Sequence, residues 1–245
     1  MGPLSAQDVI RIWEFGQSRP LLEQAAVMLG VACPDLSPGD VDALSIGEQD
    51  ARLLALRERT FGPQIDGFAE CPRCREPLEF TLRAPDLRAA PAPEAKADDR
   101  VITVRGYEVR FRLLTGRDLA AAATCGNAAS ARRLLAERCV VSARKNGQEV
   151  SARRLPESVV ARLAARLAEC DPQADLALDF ACPACGHGWT ALLDVAAFFW
   201  IELSAYARRL LGEVHTLALA YHWPEADILA MSARRRQAYL DMVGA

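Results

Sequence analysis

Lysine is scarce in this sequence: of the 29 lysine and arginine residues, only Lys96 and Lys145 are lysine. Aspartate and glutamate together number 32, so the formal net charge is −3. A chain without a basic excess lacks the electrostatic field that draws a protein to nucleic acid or to an anionic lipid surface. The composition therefore argues against specific nucleic-acid binding.

Long hydrophobic runs are also absent. The longest apolar run, residues 195–203, is too short to span a bilayer and is interrupted by Glu202. The N-terminal stretch MGPLSAQDVIRIWEFGQ has acidic and polar side chains where a secretory signal has its apolar segment. We therefore expect a cytoplasmic protein without membrane insertion.

Motifs for catalysis are missing too. The sequence contains no G-x-S-x-G, no phosphate-binding loop and no G-x-G-x-x-G following a strand. Its three histidines are His187, His215 and His222. The last two are spaced to share one face of a helix, but no carboxylates are placed to complete a metal site with them. From these absences we predict that the protein is not an enzyme.

What the sequence does contain is a pair of matching cysteine motifs. Cys71 and Cys74 lie in FAECPRCREPLEFTL, and Cys182 and Cys185 lie in DFACPACGHGWTALLDV. Each C-P-x-C motif follows a phenylalanine and precedes an alternating apolar segment, which is typical of a zinc knuckle. Gly186 can take the positive φ angle that the knuckle turn favours, whereas the first knuckle has an arginine at that position.

Two knuckles together complete the tetrahedral four-thiolate set that binds zinc. We therefore predict one structural Zn²⁺ per chain, shared by both knuckles, with the intervening segment inserted between them. Because a closed thiolate set leaves no position for water, the metal is expected to be structural. The alternatives are separate sites, the second using His187, and reduced buried thiols without metal. The other cysteines, interpreted as small hydrophobic residues, are Cys33, Cys125, Cys139 and Cys170.

Capping signals mark helices in the N-terminal region. The tetrapeptide SIGE at residues 45–48 is a capping box, and it predicts a helix over residues 46–60. Upstream, RPLLEQAAVMLG predicts a helix that Gly30 ends. Residues 88–100, RAAPAPEAKADDR, are rich in alanine and proline and are predicted to form a linker.

Between the knuckles the pattern predicts a small α+β unit. A hairpin is expected to turn at Arg105 and Gly106, and Thr115 is expected to cap the helix GRDLAAAATC. ASARRLLAERCVVSA predicts another helix, followed by a tight turn at Asn146 and Gly147 and a short strand QEVSA. PESVVARLAARLAEC is expected to be a helix, and ADLALDF a strand that leads into the second knuckle.

The C-terminal region carries the most regular apolar pattern. A continuous stripe along one long helix is formed by Phe199, Leu203, Tyr206, Leu210, Val214, Leu217 and Tyr221. A short helix EADILAM and a final helix capped by Ser232 follow. The stripe packs either on its own domain or on a partner, and both alternatives stay open. If the stripe packs on a partner, Trp223 is expected to be the anchor and Arg235 and Arg236 the polar rim. The candidate contact residues are then Phe199, Leu203, Tyr206, Leu210, Trp223, Ile228, Leu229, Arg235, Arg236 and Tyr239.

The predicted fold is α+β and mostly helical, with a split four-cysteine zinc ribbon, a small inserted α+β unit and a long C-terminal helix. The predicted regions are an N-terminal helical region (1–67), the first zinc knuckle (68–87), a linker (88–100), the inserted α+β unit (101–175), the second zinc knuckle (176–195) and a C-terminal helical region (196–245).

The charge around the knuckles weighs further against nucleic acid as a ligand. Residues 68–82 contain two arginines and three glutamates, and residues 176–195 contain two aspartates without lysine or arginine. A ribbon that contacts phosphates is expected to be basic. Neither knuckle meets that expectation.

The order of these motifs resembles that of proteins encoded with phage-like contractile injection systems. The resemblance covers most of the chain, and its most specific parts are RLLTGRDL and the C-terminal YHWPEADIL with RRRQAYL. Proteins of this family are described as baseplate components or as relatives of the hub assembly chaperones of T-even phages.

The resemblance implies a non-enzymatic structural or assembly protein of a contractile-tail or injection-system baseplate. It implies other baseplate, hub or tail-assembly proteins as partners, and incorporation into a phage tail-like particle. The alternative function is a zinc-ribbon adaptor or regulatory protein that binds protein or nucleic acid.

Overall fold

The computed structural model describes residues 1–88 and 100–244. The predicted linker, residues 88–100, lies almost entirely outside the described residues. The fold is α+β and mostly helical, with small sheets and a long helix near the C terminus, as the sequence predicts. The chain divides into two compact units, the helical unit (Met1–Ser37, Leu53–Gly62 and Val195–Ala245) and the hairpin unit (Pro38–Arg52 and Pro63–Asp194).

The elements are numbered in chain order. The helices are α1 (Ala6–Gly16), α2 (Leu21–Ala32), α3 (Pro38–Ala43), α4 (Ile46–Phe61), α5 (Gly116–Ala123), α6 (Ala128–Cys139), α7 (Glu157–Cys170), α8 (Val195–Tyr221), α9 (Glu225–Ala230) and α10 (Ala233–Gly244). The strands are β1 (Gln64–Glu70), β2 (Pro77–Arg83), β3 (Val101–Val104), β4 (Tyr107–Phe111), β5 (Val140–Lys145), β6 (Gln148–Glu149), β7 (Ala177–Ala181) and β8 (Gly188–Leu192). Strands β1 and β2 form one antiparallel hairpin, β7 and β8 form another, and β3 to β6 form an antiparallel sheet in that order.

The helical unit is built around α8, which packs against α1, α2, α9 and α10. Its interior contains Phe199, Leu203, Leu210 and Leu217, each at most 1% exposed. These residues are separated by four or seven positions, so they lie on one face of the helix. The predicted stripe therefore faces the interior of its own unit, which is one of the two alternatives that the sequence left open.

Two arginines in the helical unit are buried, and each pairs with a half-buried glutamate. The Arg57 guanidinium donates to both carboxylate oxygens of Glu202 at 2.9 and 2.7 Å. The Arg236 Nε donates to Glu213 at 2.8 Å. A buried charge is tolerated when it is paired and hydrogen-bonded. These pairs therefore fix the end of α4 and the start of α10 on α8.

The hairpin unit has its core where α6 and α7 pack on the four-stranded sheet. On β4, Val109 and Phe111 are buried while Glu108 and Arg110 between and beside them are exposed. A sheet that is covered on one face only shows such alternation, because successive side chains of a strand point to opposite faces.

Several local predictions are confirmed in the hairpin unit. The Glu48 N–H donates to the Ser45 hydroxyl at 3.2 Å, and the Ser45 N–H donates to the Glu48 carboxylate at 3.0 Å, so SIGE is a capping box. Thr115 caps α5, because its N–H and its hydroxyl both donate to the Asp118 carboxylate, at 3.0 and 3.1 Å. Asn146 and Gly147 take φ angles of 50° and 84°, as a two-residue hairpin turn requires.

Other local predictions differ from the structure. Helix α2 continues past Gly30 and ends at Ala32. The predicted helix ASARRLLAERCVVSA ends at Cys139, and Val140–Lys145 is strand β5, because its β-branched residues pair with the open edge of β4. Only Gln148–Glu149 of QEVSA is a strand. Strand β1 has no counterpart among the predictions.

Candidate metal centre

Both cysteine motifs lie in the hairpin unit, each at the turn of a two-stranded hairpin. In the first hairpin the last strand pair is Glu70 with Pro77, and in the second it is Ala181 with Gly188. Antiparallel pairing therefore holds each C-P-x-C segment as a short connection between two fixed strand ends.

The two turns share the same backbone hydrogen bonds. In each turn the N–H of the first cysteine donates to the carbonyl five residues ahead, at 3.0 Å for Cys71 and 2.9 Å for Cys182. The residue after each motif, Arg75 or Gly186, donates its N–H to the carbonyl of that first cysteine, at 2.9 and 3.0 Å. The two knuckles are therefore built alike, as the matching motifs predict.

The residue after each motif has a positive φ angle, 61° at Arg75 and 68° at Gly186. The left-handed region costs an L-residue about 1–2 kcal/mol, but glycine enters it freely. The arginine in the first knuckle thus adopts the same conformation as the glycine in the second. The sequence departure at Arg75 leaves the turn unchanged.

The four thiols converge. Their Sγ atoms all lie within 4.8 Å of one another, with 3.8 Å between Cys71 and Cys185 and 3.5 Å between Cys74 and Cys182. Four sulfur atoms placed about 2.3 Å from a zinc ion are about 3.8 Å apart in a regular tetrahedron. Both the spacing and the donor set therefore fit a tetrahedral metal ion. Within residues 1–88 and 100–244, no other group of histidine, cysteine and acidic side chains is arranged in this way.

His187 is not part of this group. Its imidazole stacks on the indole of Trp189 with ring centroids 6.3 Å apart. Each knuckle contributes one buried cysteine, Cys71 or Cys182, and one that is more accessible. The structure thus brings both knuckles to one candidate site.

Aromatic rings pack between the two hairpins. The ring centroids of Phe80 on β2 and Phe180 on β7 are 5.1 Å apart, and Phe180 stacks on Trp189 of β8 at 5.3 Å. Gly67 on β1 makes room for Phe80, because a Cβ atom there would lie 2.3 Å from the Phe80 ring. Sequence reasoning missed this cluster, because the pairing of the two hairpins is a tertiary contact that no local pattern reports.

The remaining cysteines are separate from the candidate site. Cys33 and Cys139 are buried, and Cys125 and Cys170 are half-buried. Burial, with a further contribution from the nearby Asp118 carboxylate, raises the pKa of the Cys139 thiol to about 12. A thiol with such a pKa stays protonated near neutral pH and is a poor nucleophile.

Asp118 itself is the centre of a charged network in the hairpin unit. Its carboxylate accepts hydrogen bonds from Arg112 at 2.6 and 2.9 Å and from Arg138 at 2.7 Å. Burial acts to raise the pKa of Asp118, but the bonds from Arg112, from the Thr115 backbone and from Arg138 outweigh it and hold the pKa well below its ordinary value. The network ties the start of α5 to α6, so its role is structural.

The candidate partner residues of the helical unit differ in accessibility. Buried among them are Phe199, Leu203, Leu210, Ile228, Leu229 and Arg236. Tyr206, Trp223 and Tyr239 are half-buried, and Arg235 is exposed. Arg236 is not at a polar rim as expected, because its guanidinium donates to Glu213 and to the Met231 carbonyl, both at 2.8 Å.

Two accessible candidates near the C terminus, Trp223 and Tyr239, form an aromatic cluster with Tyr221, a residue of the predicted stripe. The ring centroids of Tyr221 and Trp223 are 4.5 Å apart, and those of Trp223 and Tyr239 are 4.8 Å apart. The Arg235 guanidinium lies over the Tyr239 ring at 5.7 Å. Aromatic residues and arginine are the types enriched in protein interfaces, so this cluster is the accessible remainder of the predicted partner surface.

Two hairpins whose turns bring four thiols together have the donor set of a structural zinc site. The sequence model of the family described as T4 bacteriophage base plate protein matches residues 31–200. The match covers more than half of the chain, including both hairpins, and the chain therefore belongs to this family. No curated protein and no solved structure matches it. In the described part of the chain, no helix has the length and apolarity needed to cross a membrane.

Proposed function

We propose that the protein is a non-enzymatic structural or assembly component of the baseplate of a contractile tail or injection system. The observation that carries this proposal is the family match over residues 31–200. A baseplate protein acts by contacting its neighbours, which agrees with a sequence without catalytic motifs. Such a protein either stays in the particle or acts as a chaperone that only assists hub assembly.

Within this role, one Zn²⁺ per chain holds the two hairpins together through Cys71, Cys74, Cys182 and Cys185. Support comes from the matched turns and from the Sγ distances of 3.8 and 3.5 Å across the hairpins. Four thiolates complete the tetrahedral coordination of zinc, so the ion has a structural role and activates no water. Because its ligands come from two distant segments, binding the ion stabilises the folded hairpin unit.

The surface formed by the C-terminal aromatic cluster contacts the neighbouring baseplate, hub or tail-assembly protein. Trp223 is the anchor of this surface, with Tyr239 and Arg235 beside it. The buried part of the earlier candidate set, such as Phe199 and Leu203, contributes by holding α8 in place. Support comes from the accessibility of these aromatic rings and from their stacking, which presents them in a fixed arrangement.

Particle assembly tests the proposed function. A complete injection-system gene cluster is expressed with the full-length gene, without it, and with a chain that lacks residues 223–245. We expect intact baseplates with the full-length chain alone, as seen by electron microscopy of purified particles. An immunoblot of these particles shows whether the protein stays in the particle as a component or leaves it after assembly as a chaperone. Normal particles in the absence of the gene would contradict the proposal.

A further inference from the structure

An apolar groove opens in the hairpin unit beside α6 and α7. Its volume is about 460 Å³, which is about three times the cavity of roughly 150 Å³ that an engineered core truncation leaves. Of the leucines that line it, Leu163 is fully buried, whereas the others, including Leu119 of α5, Leu135 of α6 and Leu167 of α7, are half-buried. Incompletely covered apolar side chains that adjoin one another are characteristic of an interface.

The two helices line the groove with residues three or four positions apart. The lining residues are Ala128, Ala131, Arg132, Leu135 and Ala136 on α6, and Val160, Leu163, Ala164, Leu167 and Ala168 on α7. Two such faces side by side form the seat into which a third helix packs. The alanines leave room for the occupant, and the leucines provide the apolar walls.

Charged side chains at the edge of the groove indicate which charge the occupant carries there. Asp171 and Asp175 follow the C-terminal end of α7, where the helix dipole is negative, and Arg132 lies on α6. Among the described residues, neither Asp175 nor Arg132 forms an ion pair. A complementary occupant therefore places a basic side chain next to Asp175.

A second copy of this chain does not offer the required helix. Among the described residues, the large hydrophobic side chains exposed on helices are Phe15, Leu21, Ile201, Leu219, Met242 and Val243. None of these lies three, four or seven positions from another on the same helix. No described helix thus carries two fully exposed large apolar side chains on one face, which favours an occupant from a different protein.

We propose that this groove binds an amphipathic helix of a partner protein, with aliphatic residues spaced three and four apart and a lysine or arginine that pairs with Asp175. The recognition follows the helix-in-groove mode, in which a few aliphatic anchors fill the groove and charges set the orientation. This surface is separate from the metal ligands and from the C-terminal aromatic cluster, so the inference goes beyond the proposed function.

The test uses the full-length protein and fluorescein-labelled helical peptides of about 18 residues. The first peptide carries leucines at the required spacing and one arginine at its end, the second has glutamate instead of that arginine, and the third has serines instead of the leucines. Fluorescence anisotropy measures the binding of each. We expect the arginine peptide to bind at least about tenfold more tightly than the glutamate peptide, and the serine peptide not to bind.

Three variants locate the binding site. Ala164→Arg fills the groove from an exposed position on α7 and is expected to abolish binding, whereas Ala165→Arg, on the same helix but outside the groove, is expected to leave it unchanged. Asp175→Lys is expected to reverse the preference, so that the glutamate peptide binds more tightly. Circular dichroism checks that each variant is folded.

Other outcomes overturn the inference. It fails if the arginine peptide does not bind, if Ala164→Arg binds it normally, or if Asp175→Lys leaves the order of affinities unchanged. Sedimentation of the protein alone that shows a dimer lost in Ala164→Arg would assign the groove to a second copy instead. Because no step depends on particle assembly, these results are independent of whether the protein acts in a baseplate.

Discussion

The Sγ atoms of Cys74 and Cys182 lie 3.5 Å apart although the two residues are 108 positions apart in the sequence. The entropic cost of closing a loop rises only slowly with its length, by about 0.6 kcal/mol for each doubling. A metal ion shared by these thiols would therefore offset the cost of inserting a whole α+β segment between the knuckles. The convergence of two distant motifs is the basis of the zinc measurement and of the predictions for the two hairpins.

The first prediction concerns the contact between Gly67 and Phe80. A Cβ atom at position 67 would lie 2.3 Å from the Phe80 ring, so Gly67→Ala must displace the ring that packs against the second hairpin. We expect a loss of about 1–3 kcal/mol in the free energy of unfolding. The matched control is Gly188→Ala on β8, where the nearest atom is 3.8 Å away. Equal effects of the two substitutions in urea unfolding would contradict the role given to Gly67.

The second prediction concerns the positive φ angles of the knuckle turns. Gly186→Ala places a Cβ atom in the left-handed region at φ 68°, and we expect it to destabilise the protein by about 1 kcal/mol. Arg75→Gly removes the corresponding strain, but glycine also loses more entropy on folding, by about 0.5–1 kcal/mol. We therefore expect Arg75→Gly to be neutral or slightly stabilising. Thermal unfolding of both variants measures this, and a clear destabilisation by Arg75→Gly would be inconsistent with equivalent turns.

The third prediction concerns the pH dependence of the Asp118 network. The pKa of the folded carboxyl is below its unfolded value of about 3.9. The stabilisation from Asp118 is therefore fully present above about pH 4 and is lost as the pH falls through the folded pKa. At pH 7 we expect Asp118→Asn to lose about 3 kcal/mol, because it leaves Arg112 and Arg138 without their partner. Urea unfolding of both proteins measures the difference, which should shrink below pH 4.

This measurement has a control variant, Glu169→Gln. It also includes the titration of Asp50, whose effect on stability is opposite to that of Asp118. Glu169 pairs with Arg166 on an exposed face, so Glu169→Gln is expected to have a much smaller effect at every pH. Burial, with the nearby Asp194 and Asp171 carboxylates, raises the pKa of Asp50 to about 7. Asp50 therefore lowers stability as the pH rises from about 4 to 7, opposite to Asp118. Comparing wild type with Asp118→Asn cancels this contribution, and a difference independent of pH would refute the assignment to Asp118.

The fourth prediction concerns the C-terminal aromatic cluster. Trp223→Ala removes the ring that contacts both Tyr221 and Tyr239. We expect incorporation or assembly of the baseplate to fall by at least about tenfold, as for an interface anchor. The control is Phe15→Ala on α1, another accessible aromatic residue of the helical unit at 53% exposed. Quantified immunoblots of co-purified particle proteins provide the measurement. Equal incorporation of both variants would show that the cluster only packs on its own unit.

Local signals explain most of what the sequence predicts correctly. The Ser45 and Thr115 caps, the Asn146 turn and the two knuckles each depend on residues within a few positions, so they are visible without the fold. The long stripe on α8 is equally visible because its period is that of a helix. Its packing direction was not predictable, because an apolar face looks the same whether it packs on its own domain or on a partner.

The remaining features depend on tertiary context. Strand β1 carries Asp66 and Gly67, which disfavour strands, and it forms because it pairs with β2 along its whole length. Arg236 is buried because Glu213, more than twenty positions away, accepts its hydrogen bond. The alanine-lined groove is equally hidden in the sequence, where alanines on α6 and α7 indicate only helix propensity.

The central claim is that one metal ion joins the two hairpins, and zinc analysis by mass spectrometry tests it most directly. The purified protein, Cys182→Ser and Cys125→Ser are compared, the last because Cys125 lies outside the four-thiol group. We predict one zinc per chain for the unmodified protein and for Cys125→Ser, and loss of the zinc with a lower unfolding temperature for Cys182→Ser. Two zinc ions per chain, or full retention in Cys182→Ser, would contradict the shared site.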